Sequence, residues 1–285
     1  MLNLQERHEK ILYPVVRIRA GSAGGSGTVI YSKPNPIKPG EFQTFILTCS
    51  HVVDSCIKTA KDWDSLTKRK VEKEILEQVS VETFDYVYMS QVNSSNSHRA
   101  DIVAYDKYHD IAVLKLDSPK KVEYVAQIIP KERIGDIKIF TPVYAAGCSL
   151  LHDPFPNLGE ITYLTEDIDN KRYYMNNADQ IFGNSGGSVF LAETGEQIGI
   201  TARVTITQMG FNLDVQTWMN FCVCPERIYE FIDEQELKFL YDDSDSFDKA
   251  LKRREKKEKE AKLLQMARED QEEAEATPSD ATLTV

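Results

Sequence analysis

Up to residue 224 the apolar positions come in short runs, rich in β-branched and aromatic residues and broken by glycine, proline and polar turns. Residues 15–19 alternate apolar and basic side chains, the period-two pattern of a half-buried strand. Further strand-like runs fall at 27–31, 42–48, 102–105, 111–116, 143–147, 161–165, 173–176, 188–191, 197–207 and 221–224. Residues 21–27 read as a glycine-serine turn, residues 33–40 with three prolines as a loop, and residues 93–96 as a polar loop. Many short strands between turn signals predict an all-β barrel or sandwich.

Helical spacing is confined to a few places. Residues 2–12 suit a short helix stopped by Pro14. Residues 225–239 open on Pro225 and space Ile228, Phe231, Ile232 and Leu237 along one face. In the charged segment 57–78, Trp63, Leu66, Val71, Ile75 and Leu76 fall near helical spacing, which predicts an inserted surface helix. Composition shifts at Asp242. The tail 241–285 is dense in charge, basic residues first, with few large apolar residues; it reads as a solvated helix or a disordered tail, not a coiled coil.

The chain has 285 residues, 41% of them hydrophobic, enough for one large domain or two small ones. With 34 basic against 45 acidic residues the formal net charge is -11, which argues against nucleic acid as the main partner. The five cysteines are scattered and odd in number, so they read as buried free thiols and not as a disulfide framework. Cys222 and Cys224 are too close for the usual zinc pair, and no metal is expected. The polar N-terminus has no apolar signal region, and no apolar run reaches bilayer length. A soluble cytoplasmic protein without membrane contact is the expectation.

Three segments carry chemistry together: "ILTCSHVV" ending near His51, "HDIAVLKL" with Asp110 at its head, and "GNSGG" around Ser185. A serine hydroxyl is a poor nucleophile without a general base, and the base needs a third group to hold its tautomer. Histidine titrates near neutrality, and a buried carboxylate stabilises the imidazolium as it forms. His, Asp, Ser is one of the known chain orders for that arrangement. The glycines answer a second need, since an oxyanion requires backbone N–H groups aimed at it; Gly183 and Ser185 are placed to donate.

These motifs resemble those of the trypsin-like serine peptidases, and most of all the HtrA/Deg-type branch. "GSGTVI" at 25–30, with Ser26 and Gly27, is similar to that branch's "GSGF-I" strand, and "ILTCSHVV", "DIAVLKL" and "GNSGG" match its other motifs. The resemblance covers about residues 10–230. It implies a double six-stranded β-barrel, the barrels at about 10–120 and 121–230 within a peptidase domain of residues 1–240, and a cleft between them. It further implies a serine endopeptidase acting on protein or peptide, with His51 as general base, Asp110 as orienting acid and Ser185 as nucleophile. Gly183 and Ser185 would form the oxyanion hole, and no cofactor would be required. The chain departs from the pattern in places. It lacks the Ile-Val-Gly-Gly start of digestive trypsins, Val52 follows His51 where those enzymes have a cysteine, and Ile181-Phe182 replaces the usual Asn-Pro. Too few strand-like residues follow position 235 for a PDZ-type domain.

Rivals exist within the same sequence. His109 is a second candidate base and Asp101 a second candidate acid, while His8, His98 and His152 lie in polar or proline-rich contexts. By the resemblance Asp179 occupies the base of the substrate pocket, where a charge would select Lys or Arg; HtrA-type members instead prefer small aliphatic side chains. Thr201, Ala202 and Arg203 would edge the same cleft, with Arg203 placed to counter Asp179. A silent trypsin-fold binding module, or an interaction protein working through its tail, is the alternative function. Segment 57–78 and tail 242–285 are the places expected to contact a protein partner.

Overall fold

The computed structural model describes residues 2–21, 23–64 and 69–276. Two closed six-stranded barrels follow one another along the chain, each with non-consecutive strands as neighbours. The first is built from β1 (Val15–Ala20), β2 (Ala23–Pro34), β3 (Phe42–Thr48), β6 (Val79–Tyr86), β7 (Val92–Asp106) and β8 (Ile111–Leu116). Between β3 and β6 lie β4 (Ile57–Asp64) and β5 (Arg69–Leu76), a separate two-stranded sheet. The second barrel holds β9 (Pro142–Gly147), β10 (Phe155–Ile168), β11 (Lys171–Asn176), β12 (Ser188–Leu191), β13 (Gln197–Met209) and β14 (Asn212–Val223). All neighbouring pairs are antiparallel.

Barrel closure explains why β3 and β8 read as continuous apolar runs: Phe45, Ile46, Leu47 and Ile111 to Leu114 are almost wholly buried, since both sides of these strands are covered. The first barrel's core is continuous with the barrel–barrel interface, where Tyr173, Ile200, Phe221 and Val223 join it. The second barrel encloses Val143, Ile161, Val189, Ile198 and Cys222. At the junction Thr28 and Ser188 share a 2.7 Å hydrogen bond, both fully buried. A buried hydroxyl pair in this setting costs little because each satisfies the other.

Short helices frame the barrels. α1 (Leu4–Arg7) begins with a capping box between Asn3 and Glu6 and runs on through a π turn (His8–Leu12), matching the helix expected at 2–12. α2 (Ser50–Val53) is a single turn after β3. α3 (Pro225–Glu234) starts on its proline and buries Ile228, Phe231 and Ile232 in the first core; it ends at Glu234, short of the 239 expected, Glu236 beyond it has φ 59°, and a 3-10 turn (Lys238–Leu240) follows. α4 (Phe247–Ala276) opens the charged tail. Its first turn is packed: Phe247 and Ala250 are buried with Phe45 and Phe239, and the Phe247 ring lies 5.0 Å from Phe45. Arg254 donates to the Val103 carbonyl, and Arg253 reaches Glu236 and Asp245.

Three local expectations are corrected. The segment 57–78 is not a helix: β4 and β5 pair from Ile57↔Leu76 to Asp64↔Arg69, while Leu66 lies outside the described residues. The apolar spacing there never forms a buried stripe, for Trp63, Ile75 and Leu76 are all exposed. Cross-strand charge pairing supports the hairpin instead, with Lys61 opposite Glu72 and Lys73 bridging to Asp62 at 3.2 Å. Residues 93–96 are not a loop but the polar start of β7, where Asp85 of β6 accepts from Ser94 and Asn96. The turn read at 21–27 is shorter, because β2 already begins at Ala23.

Phe247→Ala should cost about 3 kcal/mol of stability in a denaturant titration. No measurable cost would mean that the base of α4 is not packed as described.

Candidate active site

His51 is the second residue of α2, so the strand that ends at Thr48 delivers it to the barrel rim half-exposed. Its ring Nδ1 meets Asp110 Oδ2 at 2.7 Å, and its backbone N–H donates to Asp110 Oδ1 at 2.9 Å. A carboxylate only accepts, so Nδ1 carries a proton and Nε2 is the ring's free acceptor. Asp110 ends the turn between β7 and β8 in the left-handed region, φ 61°. That conformation costs about 1–2 kcal/mol for a residue with a Cβ; the two bonds to His51 hold it in place. The rivals are committed elsewhere. His109 Nδ1 bonds Asp106 at 2.7 Å, and Asp106 also accepts the N–H groups of Tyr108 and His109. Burial raises the Asp106 carboxyl, but the His109 bonds outweigh it and leave the pKa below the ordinary value. Asp101 accepts from Gln78 on the barrel surface.

Ser185 sits on the turn between Gly183 and Gly187, and its neighbours join it to the other two motifs. The Gly186 N–H donates to the Thr201 carbonyl at 2.8 Å, and the Cys49 thiol donates to the same oxygen at 3.1 Å. The Ser185 carbonyl accepts from the Ser26 N–H at 2.8 Å. Gly25 lies between the two segments: a Cβ there would meet Val52 at 2.7 Å and the Ser185 carbonyl at 2.8 Å. Gly186 has φ 85°, and a Cβ on it would reach the Ser26 carbonyl at 2.2 Å. Both glycines are therefore demanded by close approach.

The peptide before Ser185 has a defined orientation. Phe182 C=O accepts from the Leu150 N–H at 2.7 Å. In a trans peptide the C=O and N–H point opposite ways, so the Gly183 N–H faces away from that loop. Gly183 has φ 96°, and its carbonyl accepts from Ser26 Oγ at 2.7 Å. Among the described residues neither the Gly183 nor the Ser185 N–H donates to a protein acceptor.

The supporting loop, residues 148–153, was not singled out from the sequence. Leu150 and Leu151 both have positive φ, 51° and 59°. Arg17 of β1 holds the loop, donating to the Leu151 carbonyl at 3.0 Å and to Asp153 at 3.2 Å. Glu82 of β6 in turn accepts from Arg17 Nε at 2.6 Å and from Arg19 Nε at 2.7 Å. The alternation of 15–19 was legible, but nothing local marks Arg17 as a support for a loop so distant in the chain.

The proposed pocket residues divide. Thr201 and Ala202 are buried, and the Thr201 backbone bonds Gly186 and Gly187 on the Ser185 turn. Asp179 is exposed and accepts from the Thr217 hydroxyl at 2.9 Å. Arg203 does not counter Asp179: its guanidinium pairs with Asp169 at 3.0 Å and stacks 5.3 Å from the Tyr173 ring centre. Asp169 lies at the β10–β11 turn, which delivers a nearer carboxylate.

All five cysteines are free and buried. Cys49, His51 and Asp110 offer ligand atoms within 4.8 Å of one another. Burial pushes the Cys49 thiol well up and it already donates to Thr201, so it is a poor metal ligand. Burial likewise raises Cys148 to about 12 and Cys224 to about 11. Among the described residues no helix is long and apolar enough to cross a membrane.

Two β-barrels with a histidine–carboxylate pair and a glycine-flanked serine at their junction define the double-barrel peptidase class. A sequence profile described as "Trypsin-like peptidase domain" matches residues 25–200, and the chain belongs to that family. No curated protein matches the chain by sequence. Among solved structures it is similar to the HtrA-type protease AlgW with tripeptide: TM-score 0.58, 16% identity, covering 84% of this chain and 64% of that one. It is also similar to the serine endoprotease from Yersinia pestis, with TM-score 0.53, 18% identity, 82% of this chain and 66% of that one. At these identities the likeness bears on the fold, and the chain spans less than two-thirds of either protease.

Burial raises the Glu82 carboxyl, but hydrogen bonds from Arg19 and Arg17 outweigh it and hold the pKa below its ordinary value. A depressed folded-state pKa means the pair stabilises above the unfolded carboxyl pKa and is lost as pH falls through the folded one. Glu82→Gln should therefore lower stability at pH 7 by about 1–3 kcal/mol. The gap to the wild type should narrow on acidification below about pH 4. Denaturant titrations at both pH values check this; a gap that widens on acidification would contradict it.

Proposed function

We propose that this chain is a serine endopeptidase in which Ser185, His51 and Asp110 act as one unit. The observation that carries the reading is the convergence on the Thr201 carbonyl, which binds the segment bearing His51 through Cys49 and the turn bearing Ser185 through Gly186. Asp110 holds the His51 ring with Nε2 free to accept a proton. Ser185 Oγ attacks the peptide carbonyl as His51 takes its proton, and a tetrahedral oxyanion forms. The free N–H groups of Gly183 and Ser185 stabilise that oxyanion. His51 then protonates the leaving amine, an acyl-enzyme remains, and water releases it by the same steps in reverse. None of these steps needs a cofactor.

Substrate binding follows from an open strand edge. β12 pairs with β13 only as far as Ile200, while β14 covers the other side of β13 through Val204 and beyond. The uncovered edge past Thr201 suits an extended peptide added antiparallel, its main chain in register with the reacting serine. A protein or peptide segment in extended form is accordingly the substrate class.

A fluorophosphonate probe should label the wild type and fail to label Ser185→Ala. Asp110→Asn should keep the fold but lower kcat by about 10⁴-fold, because the histidine tautomer is no longer held. A wild type that never takes the probe would point to a silent binding module.

A further inference from the structure

Three buried amides come together next to β13: Asn176 at the end of β11, Gln180 on the segment leading to Ser185, and Asn220 of β14. Their relative exposures are 0%, 2% and 0%. Asn176 and Asn220 are direct cross-strand partners, so their side chains share a face. Gln180 Nε2 donates to Asn176 Oδ1 at 2.9 Å, and the Gln180 N–H to the Thr217 carbonyl at 2.9 Å. Asn220 Nδ2 donates to the Ala178 carbonyl at 2.9 Å and also to the Thr217 carbonyl. Asn220 is itself paired with Val204 on β13, so the cluster lies next to the strand that carries Thr201.

Three polar atoms of this cluster have no partner: Asn176 Nδ2, Gln180 Oε1 and Asn220 Oδ1. Leaving such atoms unpaired in a buried site is costly. The set is one NH₂ donor and two carbonyl acceptors. Asn220 is fixed in this sense because its nitrogen meets two carbonyl oxygens. Exchanging O and N in both Asn176 and Gln180 reverses their mutual bond, yet still leaves one donor and, with Asn220, two acceptors. A carboxamide is the complement, with one oxygen to accept and two N–H to donate. A carboxylate would set lone pairs against two acceptors. A Lys or Arg side chain would donate to the two acceptors but set a cation against the amide donor and leave it unpaired, and an aliphatic one would leave all three atoms unpaired.

We propose that Asn176, Gln180 and Asn220 form the floor of the primary substrate pocket, and that this chain selects glutamine or asparagine immediately before the scissile bond. The inference rests on Ser185 being the nucleophile. It replaces a choice between basic and small aliphatic residues with a neutral amide. Asp179, although it lies beside Gln180 in sequence, is turned to the Thr217 hydroxyl and solvent.

The test uses the full chain and quenched peptides varied only at the residue before the scissile bond, with a fluorophosphonate probe in parallel. The wild type should cleave the Gln or Asn peptide at least about tenfold faster in kcat/KM than the Glu, Lys and Leu peptides, roughly one hydrogen bond's worth of discrimination. Gln180→Met, similar in length and apolar, should lower the ratio of Gln-peptide to Leu-peptide kcat/KM about tenfold, with probe labelling and thermal melting read alongside. Asn220→Leu should act in the same direction; it also removes two backbone contacts, so its folding is checked by thermal melting and Gln180→Met decides. With probe labelling intact, a preference for Lys, Arg or small aliphatic residues overturns the proposal and leaves the serine mechanism standing. So does a profile unchanged in Gln180→Met, which would mean that ordered water satisfies the amides. Wild-type protein that neither takes the probe nor cleaves any peptide overturns both readings.

Discussion

The carbonyl oxygen of Thr201 is where the working parts of this chain are tied together. It accepts from the Gly186 N–H and from the Cys49 thiol, and so connects the serine turn, the histidine helix and the open strand edge through one atom. The contact is possible only because side chains are missing around it. Gly25 admits Val52 and the Ser185 carbonyl, and Gly186 admits the Ser26 carbonyl and the Thr48 hydroxyl. Ser26 extends the same junction, giving its hydroxyl to the Gly183 carbonyl and accepting from the Cys148 N–H. A rigid barrel rim can hold such an arrangement to a fraction of an ångström, which a site built on loops alone does not do.

Around that junction the backbone is strained in a consistent way. Asp110, Leu150 and Leu151 have positive φ with a Cβ in place, and Gly183 beside them takes the same region without one. Strain of this kind persists only where the surroundings over-determine it, and each position has its restraint. Asp110 is held by two bonds to His51, and Leu151 by Arg17. Gly183 is held by Ser26 and by the Leu150 bond to its preceding carbonyl. The Arg17–Glu82 pair therefore supports the orientation of a peptide to which neither residue is bonded. It lies between β1 and β6, where the register Arg17↔Glu82 sets the two side chains opposite each other.

Much of this was legible in the linear chain because the signals are local. β3 and β8 announce themselves as apolar runs that end on His51 and begin after Asp110, and the glycines flanking Ser185 mark a turn. Where the reading failed, a local signal was ambiguous. The hairpin 57–76 carries apolar residues at near-helical intervals, yet its strands are held by cross-strand pairs such as Lys61 and Glu72, whose separation in sequence no helical template examines. The polar run 93–96 lacks the apolar alternation of a strand because β6 and β7 extend beyond the barrel there, so neither face has a core to meet.

The sequence by itself determined the class of fold, the chemical types at the site and their order, since strand period, turn glycines and motif residues are properties of short stretches. Only the tertiary structure decided which partner each of these residues took. Arg203 went to Asp169 and not Asp179, His109 to Asp106, and Arg17 to a loop 134 positions away. It also decided that three amides from separate segments would share one buried space. Partner choice depends on distance and burial after the barrels close, and those are set by the sum of all strand registers, which no single stretch of chain contains.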